Sequence, residues 1–200
     1  LRRIMEQNAQ TCRFILSCNY SSKIIEPIQS RCAVFRFRPL AEDQILEMVQ
    51  EVAESEGLVL ENHGAAAVVH VAMGDLRRAI TALQVAASLS NTITRDLVYE
   101  TTATAPPEEL HAFLRSCQED GFQPSRMKMY AIIDRFGLAG TDIVNQLHRS
   151  LADVQFMTER EKLAVTEAMA EADFRLVEGG GESLQLDALT ARISTILKIN

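Results

Sequence analysis

The sequence predicts a mostly α-helical protein in three parts. These are the remnant of an α/β core over residues 1–39, a small helical domain over 40–103 and a five-helix bundle over 104–200. Of the 200 residues, 47% are hydrophobic and only 24% are charged, which is enough apolar material for real cores. From residue 40 onward the apolar residues recur at helical spacing, whereas strand-like runs occur only in the first 39 residues.

The first part contains two apolar runs typical of buried strands. Thr11 to Cys18 is followed by Asn19, and Ala33 to Phe37 follows a short turn that starts at Pro27. Strand, short helix and strand in this order indicate a fragment of a parallel α/β sheet. So small a sheet cannot stand alone, and the chain opens at Leu1 inside a helical pattern, so we expect a further part upstream.

Two proline-containing segments mark the boundaries of the helical parts. Pro39 ends the second predicted strand, and Ala105-Pro106-Pro107 separates the small domain from the bundle. Four helices are predicted between these boundaries, with apolar stripes on one face and Asp75 as an N-cap. The five bundle helices are expected from Glu108 and Glu109 onward and then over about 125–136, 141–151, 159–177 and 183–199.

The net charge of −7 is unevenly distributed along the chain. Residues 1–39 carry seven Lys/Arg against two Asp/Glu, residues 40–103 carry three against ten, and residues 104–200 carry ten against fifteen. Only the first part therefore has the charge to approach a phosphate backbone or a nucleotide. The two acidic parts are typical of solvated or protein-facing modules.

The four cysteines, Cys12, Cys18, Cys32 and Cys117, show no C-x-x-C spacing. Buried free thiols in a reducing cytosol are the favoured interpretation, with disulfides or zinc as the alternatives. The histidines have no ligand spacing, and no apolar run reaches the roughly 20 residues that span a bilayer. We therefore expect neither a metal site nor a membrane segment.

Arg31 is the main candidate for a functional side chain. It follows the Pro27 turn by about one helical turn and directly precedes the second predicted strand. It could pair with Glu26 or a loop carbonyl, or its planar guanidinium could be presented to an anion such as phosphate. The chain contains no phosphate-cradling G-x-x-x-x-G-K-[ST] motif, so such an anion would belong to another chain or to the upstream part.

Other polar positions leave two interpretations open. Asn19 could face a ligand at the end of a strand or simply form a turn. Arg77 and Arg78 oppose the helix dipole in a first helical turn, which either an anionic ligand or plain exposure would explain. Arg2 and Arg3 could touch nucleic-acid phosphates or lie on a solvated face.

Taken together, these segments resemble the replication factor C small subunits, archaeal sliding-clamp loaders of the AAA+ family. Leu1 to Glu6 resembles the helix after the Walker B strand of that family. Ser17-Cys18-Asn19 with Lys23 to Cys32 resembles its sensor 1 strand and Ser-Arg-Cys box, and Gly74 to Ala79 resembles its sensor 2 helix. Gly137 to Asp142 and Ala172 to Gly179 resemble its C-terminal collar.

The resemblance implies a role for each candidate residue. Asn19 would sense the γ-phosphate as sensor 1, and Arg31 would be the arginine finger that reaches ATP held by the neighbouring subunit. Arg77 would contact ATP in its own subunit as sensor 2, whereas Arg2 and Arg3 would lie near primer–template DNA. ATP and Mg²⁺ are expected in the intact protein, a DNA-dependent ATPase. With no Walker A or B motif, we expect these 200 residues alone to bind ATP weakly or not at all and not to hydrolyse it.

The expected partners are the large subunit, further small subunits, the sliding clamp and DNA, with homo-oligomers through the collar and a cytoplasmic, nucleoid-associated location. Two other functions remain open. A related AAA+ DNA motor, such as a branch-migration helicase, would need a basic winged-helix domain, whereas residues 104–200 are acidic and purely helical in pattern. A non-enzymatic oligomerisation scaffold would use the bundle alone.

Overall fold

The computed structural model describes residues 2–8 and 10–198, and of Arg2 it describes the backbone only. The chain forms two compact units, 1–39 and 40–200. Leu1 and Ile199, which the sequence places in the first and last helices, lie outside the described residues. The described part holds eleven α-helices and one pair of two-residue strands. The mostly α-helical class predicted from the sequence is therefore confirmed.

The first unit contains α1 (Arg2–Gln7), a 3-10 turn (Ser21–Lys23) and α2 (Glu26–Gln29). The two strands predicted here are wrong, because residues 12–18 and 33–39 form no strand, and Ile15 and Phe37 are 95% and 96% exposed. A strand is held by backbone hydrogen bonds to a neighbouring strand, and within the described residues nothing supplies them to either segment. The apolar side chains of these two segments are therefore not packed into a core.

The thiols are free, as predicted, but not all are buried. Cys12 and Cys18 are exposed, Cys32 is half-buried, and only Cys117 is fully enclosed. Cys12 and Cys18 were expected to be buried within or beside the first predicted strand. That expectation is wrong because the strand is absent from the described structure.

The second unit begins with four helices that match the predicted ones. They are joined by two short parallel strands, in which Val59 pairs with Thr92 and Leu60 with Ile93. Two-residue strands carry too little pattern to be detected in the sequence, and none was predicted. The elements are α3 (Glu42–Ser55), β1 (Val59–Leu60), α4 (Asn62–Ala72), α5 (Leu76–Leu89), β2 (Thr92–Ile93) and α6 (Arg95–Thr101).

Five more helices follow, as predicted. Thr158 and Glu161 form a reciprocal capping box at the start of the fourth, and Gly137, with φ of 63°, ends the second. The largest difference at a predicted start is three residues, at Phe122 instead of Ser125. The elements are α7 (Pro107–Glu119), α8 (Phe122–Phe136), α9 (Gly140–Ser150), α10 (Glu159–Val177) and α11 (Glu182–Lys198).

One continuous hydrophobic core runs through residues 40–200. In the first four helices, α4 packs against α3, α5 and α6; in the last five, α11 packs against α10 on one flank and against α7 and α8 on the other. Large side chains are fully enclosed in both regions, including Ile45, Leu83, Phe113, Leu114, Ile143 and Leu147. No helix in the described part is both long and apolar enough to cross a bilayer.

Polar contacts hold the connection between α6 and the last five helices. Arg95 of α6 pairs with Glu108 of α7. The side chain of Gln146 on α9 donates to the Ala103 carbonyl at 3.1 Å and accepts from the Ala105 amide at 2.8 Å. The backbone on both sides of Thr104 is thus fixed to α9. A domain boundary at 103/104 stays a prediction.

Arg135 of α8 forms a second set of contacts at this connection. Its guanidinium lies 3.9 Å from Asp96 and 3.7 Å from Glu100, both on α6, and 3.5 Å from Glu109 on α7. One cation therefore offsets the charge of three carboxylates that would otherwise repel one another.

Candidate functional site

The turn that carries Arg31 is fixed by its own side chains and backbone. Pro27 is the second residue of α2, where a missing amide costs no helical hydrogen bond. The side-chain amide of Gln29 donates to the carbonyls of Ser21 at 2.8 Å and Ile24 at 2.5 Å, tying α2 to the preceding 3-10 turn. The backbone amide of Arg31 then donates to the Ile28 carbonyl at 3.1 Å. The guanidinium therefore projects from a fixed backbone.

The guanidinium of Arg31 has three partners within its unit. It donates to the Pro27 carbonyl at 2.8 Å and to the Ser30 hydroxyl at 3.3 Å, and its Nη2 lies 2.5 Å from a carboxylate oxygen of Glu6. A loop carbonyl was one of the partners considered from the sequence. The ion pair, however, is made with Glu6 and not with Glu26. Arg31 remains 35% exposed, so a competing anion could reach its guanidinium by displacing Glu6.

Glu6 is the site residue that sequence reasoning missed. It lies 25 positions before Arg31, and no local spacing rule connects the two. A compositional signal was nevertheless present, because Glu6 and Glu26 are the only carboxylates among residues 1–39. With seven cations and two anions in that unit, each carboxylate has several possible partners.

Asn19 lies at an exposed bend. The strand that was expected to present it at a sheet edge is absent, so its predicted position at the end of a strand is wrong. Its role as a phosphate sensor stays a prediction.

Arg77 lies in the first turn of α5. The Asp75 carboxylate caps this helix by accepting from the backbone amides of Arg77 at 2.9 Å and Arg78 at 3.3 Å. Both arginine side chains are exposed, and within the described residues neither forms an ion pair. The N-cap therefore offsets part of the charge conflict with the helix dipole, and the two guanidiniums stay open to solvent.

Arg3 is exposed on α1, and Arg2 belongs to the same helix, but its side chain lies outside the described part. Arg3, Asn19 and Arg31 belong to the unit 1–39, whereas Arg77 belongs to the unit 40–200. Among the described residues, no three His, Cys, Asp or Glu side chains are arranged to hold a metal ion.

Comparison with known proteins identifies the relatives of the chain. A family model described as the Replication factor C C-terminal domain matches residues 105–192, which run from the connection before α7 into α11. A replication factor C small subunit of Methanocella arvoryzae is 49% identical over 191 residues, 96% of this chain and 59% of that protein. The chain is homologous to the replication factor C small subunits.

Further replication factor C small subunits match over the same extent. One from Methanococcus maripaludis is 43% identical over 98% of the chain and 62% of its own length, and one from Natronomonas pharaonis is 44% identical over 97% and 59%. The chain thus spans about three-fifths of the length of these curated relatives. The resemblance noted in the sequence is therefore confirmed.

Proposed function

We propose that the chain is part of an ATP-dependent clamp loader that opens a ring-shaped sliding clamp and places it on primer–template DNA during replication. The observation that carries this proposal is the 49% identity over 96% of the chain to a replication factor C small subunit. Its partners would be a large subunit, further small subunits, the clamp and DNA. As the chain spans only about three-fifths of its relatives, this activity is proposed for the whole protein.

Arg31 would be the arginine finger, contacting the γ-phosphate of ATP held by the neighbouring subunit. Its fixed backbone and partly exposed guanidinium suit this role, because a finger has to project from a rigid turn toward another chain. In the transition state of phosphoryl transfer, such a cation stabilises the charge on the phosphoryl oxygens. Glu6 would hold the side chain between encounters, since an exposed ion pair is worth at most about 1 kcal/mol and is easily exchanged.

The other candidates would complete the ATP site in the intact protein. Asn19 would orient the attacking water as sensor 1, and Arg77, with its exposed guanidinium at the start of α5, would contact the ATP of its own subunit. Mg²⁺ would accompany ATP, held by motifs that these 200 residues do not contain. Arg2 and Arg3 would approach DNA phosphates, in line with the positive charge of residues 1–39.

The test is Arg31→Ala in the full-length protein assembled with its partners. We expect ATP binding within about twofold of wild type, while hydrolysis stimulated by DNA and clamp falls by about 10³-fold, the range found for arginine fingers. Arg36→Ala is the matched control, because Arg36 is an exposed arginine of the same basic unit without a proposed role.

Loss of ATP binding with unchanged turnover per bound ATP would contradict the assignment of Arg31 to a neighbour's nucleotide. Full hydrolysis by the Arg31→Ala assembly would favour a scaffold role for the chain instead.

A further inference from the structure

The turn between α4 and α5 contains a residue in an unfavourable backbone conformation. Met73 has φ of 51° and ψ of 42°, the left-handed region, and Gly74 follows with φ of 83°. Glycine adopts this region freely, whereas a side chain disfavours it. Among the described residues other than glycine, Met73 shares a positive φ only with Ala103. Strained positions of this kind persist where surrounding contacts hold them, and they often mark functional sites.

Both strained positions are held by one helix, α9. The Gln146 side chain donates to the Ala103 carbonyl at 3.1 Å, and Nη1 of Arg149 donates to Sδ of Met73 at 3.1 Å. Gln146 and Arg149 are three residues apart, so they project from the same face of α9. Within the described residues, Arg149 forms no ion pair that would draw its guanidinium elsewhere.

A second observation places the end of α9 beside the end of α4. His70 lies in the last turn of α4, and Asp153 lies in the 3-10 turn Leu151–Asp153 that directly follows α9. Burial lowers the pKa of His70, and the carboxylates of Glu42 and Asp153 act in the opposite direction. Asp153 is therefore close enough to α4 for its charge to be felt there. The contact between Arg149 and Met73 is thus part of a wider approach of the two helix ends.

The turn determines where the first residues of α5 lie. The backbone amide of Leu40 donates to the Gly74 carbonyl at 3.0 Å, and that of Asp75 donates to the Ala72 carbonyl at 3.0 Å. The Asp75 carboxylate then caps α5 by accepting from the amide of Arg77 at 2.9 Å. Buried side chains further along α5 fix the axis of the helix. Its first turn, which carries Arg77, depends on the turn that precedes it.

We propose that Arg149 is a positioning residue for Arg77. By holding Met73, α9 fixes the turn from which α5 starts and so fixes where the Arg77 guanidinium meets ATP. This inference rests on the proposed contact between Arg77 and ATP of the same subunit. It adds a residue of the last five helices to that site, although Arg149 itself touches no nucleotide.

The experiment measures the dissociation constant of ATP with Mg²⁺ for the full-length protein by isothermal titration calorimetry. Arg149→Ala should weaken binding by about threefold to tenfold, the range expected when a single hydrogen bond that orients a binding group is lost. His148→Ala is the matched control and should change binding less than twofold. His148 is exposed on the same helix but lies about 100° around it from Arg149.

A double variant separates positioning from a general effect on folding. If Arg149 acts through Arg77, its removal has nothing further to disturb once the Arg77 guanidinium is gone. Arg77→Ala and the double variant Arg77→Ala/Arg149→Ala should therefore bind ATP equally, within about twofold. A merely structural role of Arg149 would instead weaken binding by the same factor in both backgrounds.

Met73→Gly removes the other half of the contact and relieves the backbone. Because glycine adopts the left-handed conformation without steric cost, the thermal midpoint of this variant should not fall below that of Arg149→Ala. Its affinity for ATP should nevertheless fall as in Arg149→Ala, and combining the two substitutions should cause no further loss. A variant that stays folded but binds ATP more weakly would separate the effect from stability.

Three outcomes would overturn the proposal. One is wild-type affinity for ATP in Arg149→Ala or in Met73→Gly, and another is a further loss of affinity when Arg149→Ala is added to Arg77→Ala. An unchanged affinity in Arg77→Ala itself would overturn the proposed role of Arg77 together with this inference. Loss of affinity in Arg77→Ala without loss in Arg149→Ala would overturn the inference alone, so the two failures are distinguishable.

Discussion

Nη2 of Arg31 lies 2.5 Å from a carboxylate oxygen of Glu6, and the two side chains are 35% and 42% exposed. An ion pair this accessible to water contributes between about 0.2 and 1 kcal/mol, because solvent screens it and two long side chains lose freedom in forming it. Glu6 therefore orients Arg31, and breaking the ion pair to release the guanidinium costs little free energy.

The first prediction concerns this pair. Glu6→Gln in the full-length protein should change DNA- and clamp-stimulated ATP hydrolysis by less than about fivefold, which corresponds to 1 kcal/mol at most. Steady-state hydrolysis measured beside Arg31→Ala makes the comparison. A loss as large as that of Arg31→Ala would instead place Glu6 in the reaction site itself.

A second prediction concerns Arg135 at the connection between α6 and the last five helices. Arg135→Ala leaves Asp96, Glu100 and Glu109 without their shared cation, so the free energy of unfolding should fall by about 1 kcal/mol, and further at low salt. Urea unfolding at two salt concentrations measures this. Arg175→Ala, which removes a pair within α10, should cost no more than about 0.5 kcal/mol. Equal losses at both positions would contradict a special role for Arg135.

Gly64 is the subject of a third prediction. A Cβ at this position of α4 would overlap the backbone carbonyl of Ile93 in β2, and neither backbone segment can yield easily. Gly64→Ala should therefore destabilise the fold by about 1–3 kcal/mol, as overpacking does, despite the better helix propensity of alanine. Thermal unfolding beside Ala66→Ser, at an exposed position of the same helix, provides the control. A stabilised Gly64→Ala would show that α4 and β2 are not in close contact.

The fourth prediction concerns Cys117, which is fully buried and whose pKa is raised by that burial. Exposed Cys12 and Cys18 should react with a thiol reagent within minutes, whereas Cys117 should react only after unfolding. Since the folded state keeps the Cys117 proton and the unfolded state loses it above about pH 8.5, stability should fall as the pH rises beyond that value.

Cys117→Ala should flatten this alkaline decline, and Cys12→Ala, at an exposed thiol, should leave it unchanged. Fast labelling of Cys117 in the folded chain would contradict its enclosure.

Helices of the second unit could be predicted from the sequence because their signals are local. Asp75 caps α5, Thr158 and Glu161 cap α10, and Gly137 ends α8, each within four residues of the element it defines. Apolar spacing adds the buried face of each helix. Such information depends on neighbours along the chain and needs no knowledge of the fold.

Pairings over long sequence distances could not be predicted in this way. Residues 12–18 and 33–37 have the composition of buried strands, but composition cannot supply a hydrogen-bonded neighbour. The partner of Arg31 lies 25 positions away, and β1 and β2 pair across more than 30 residues.

The bidentate contact of Gln146 has a mechanical consequence. With one amide group joined to the backbone before and after Thr104, rotation at the connection between α6 and α7 would have to break these two hydrogen bonds. A movement of α6 would therefore be passed on to α9 and would not be absorbed in the connecting segment. Gln146→Ala would loosen this coupling between α6 and α9 without removing a core side chain.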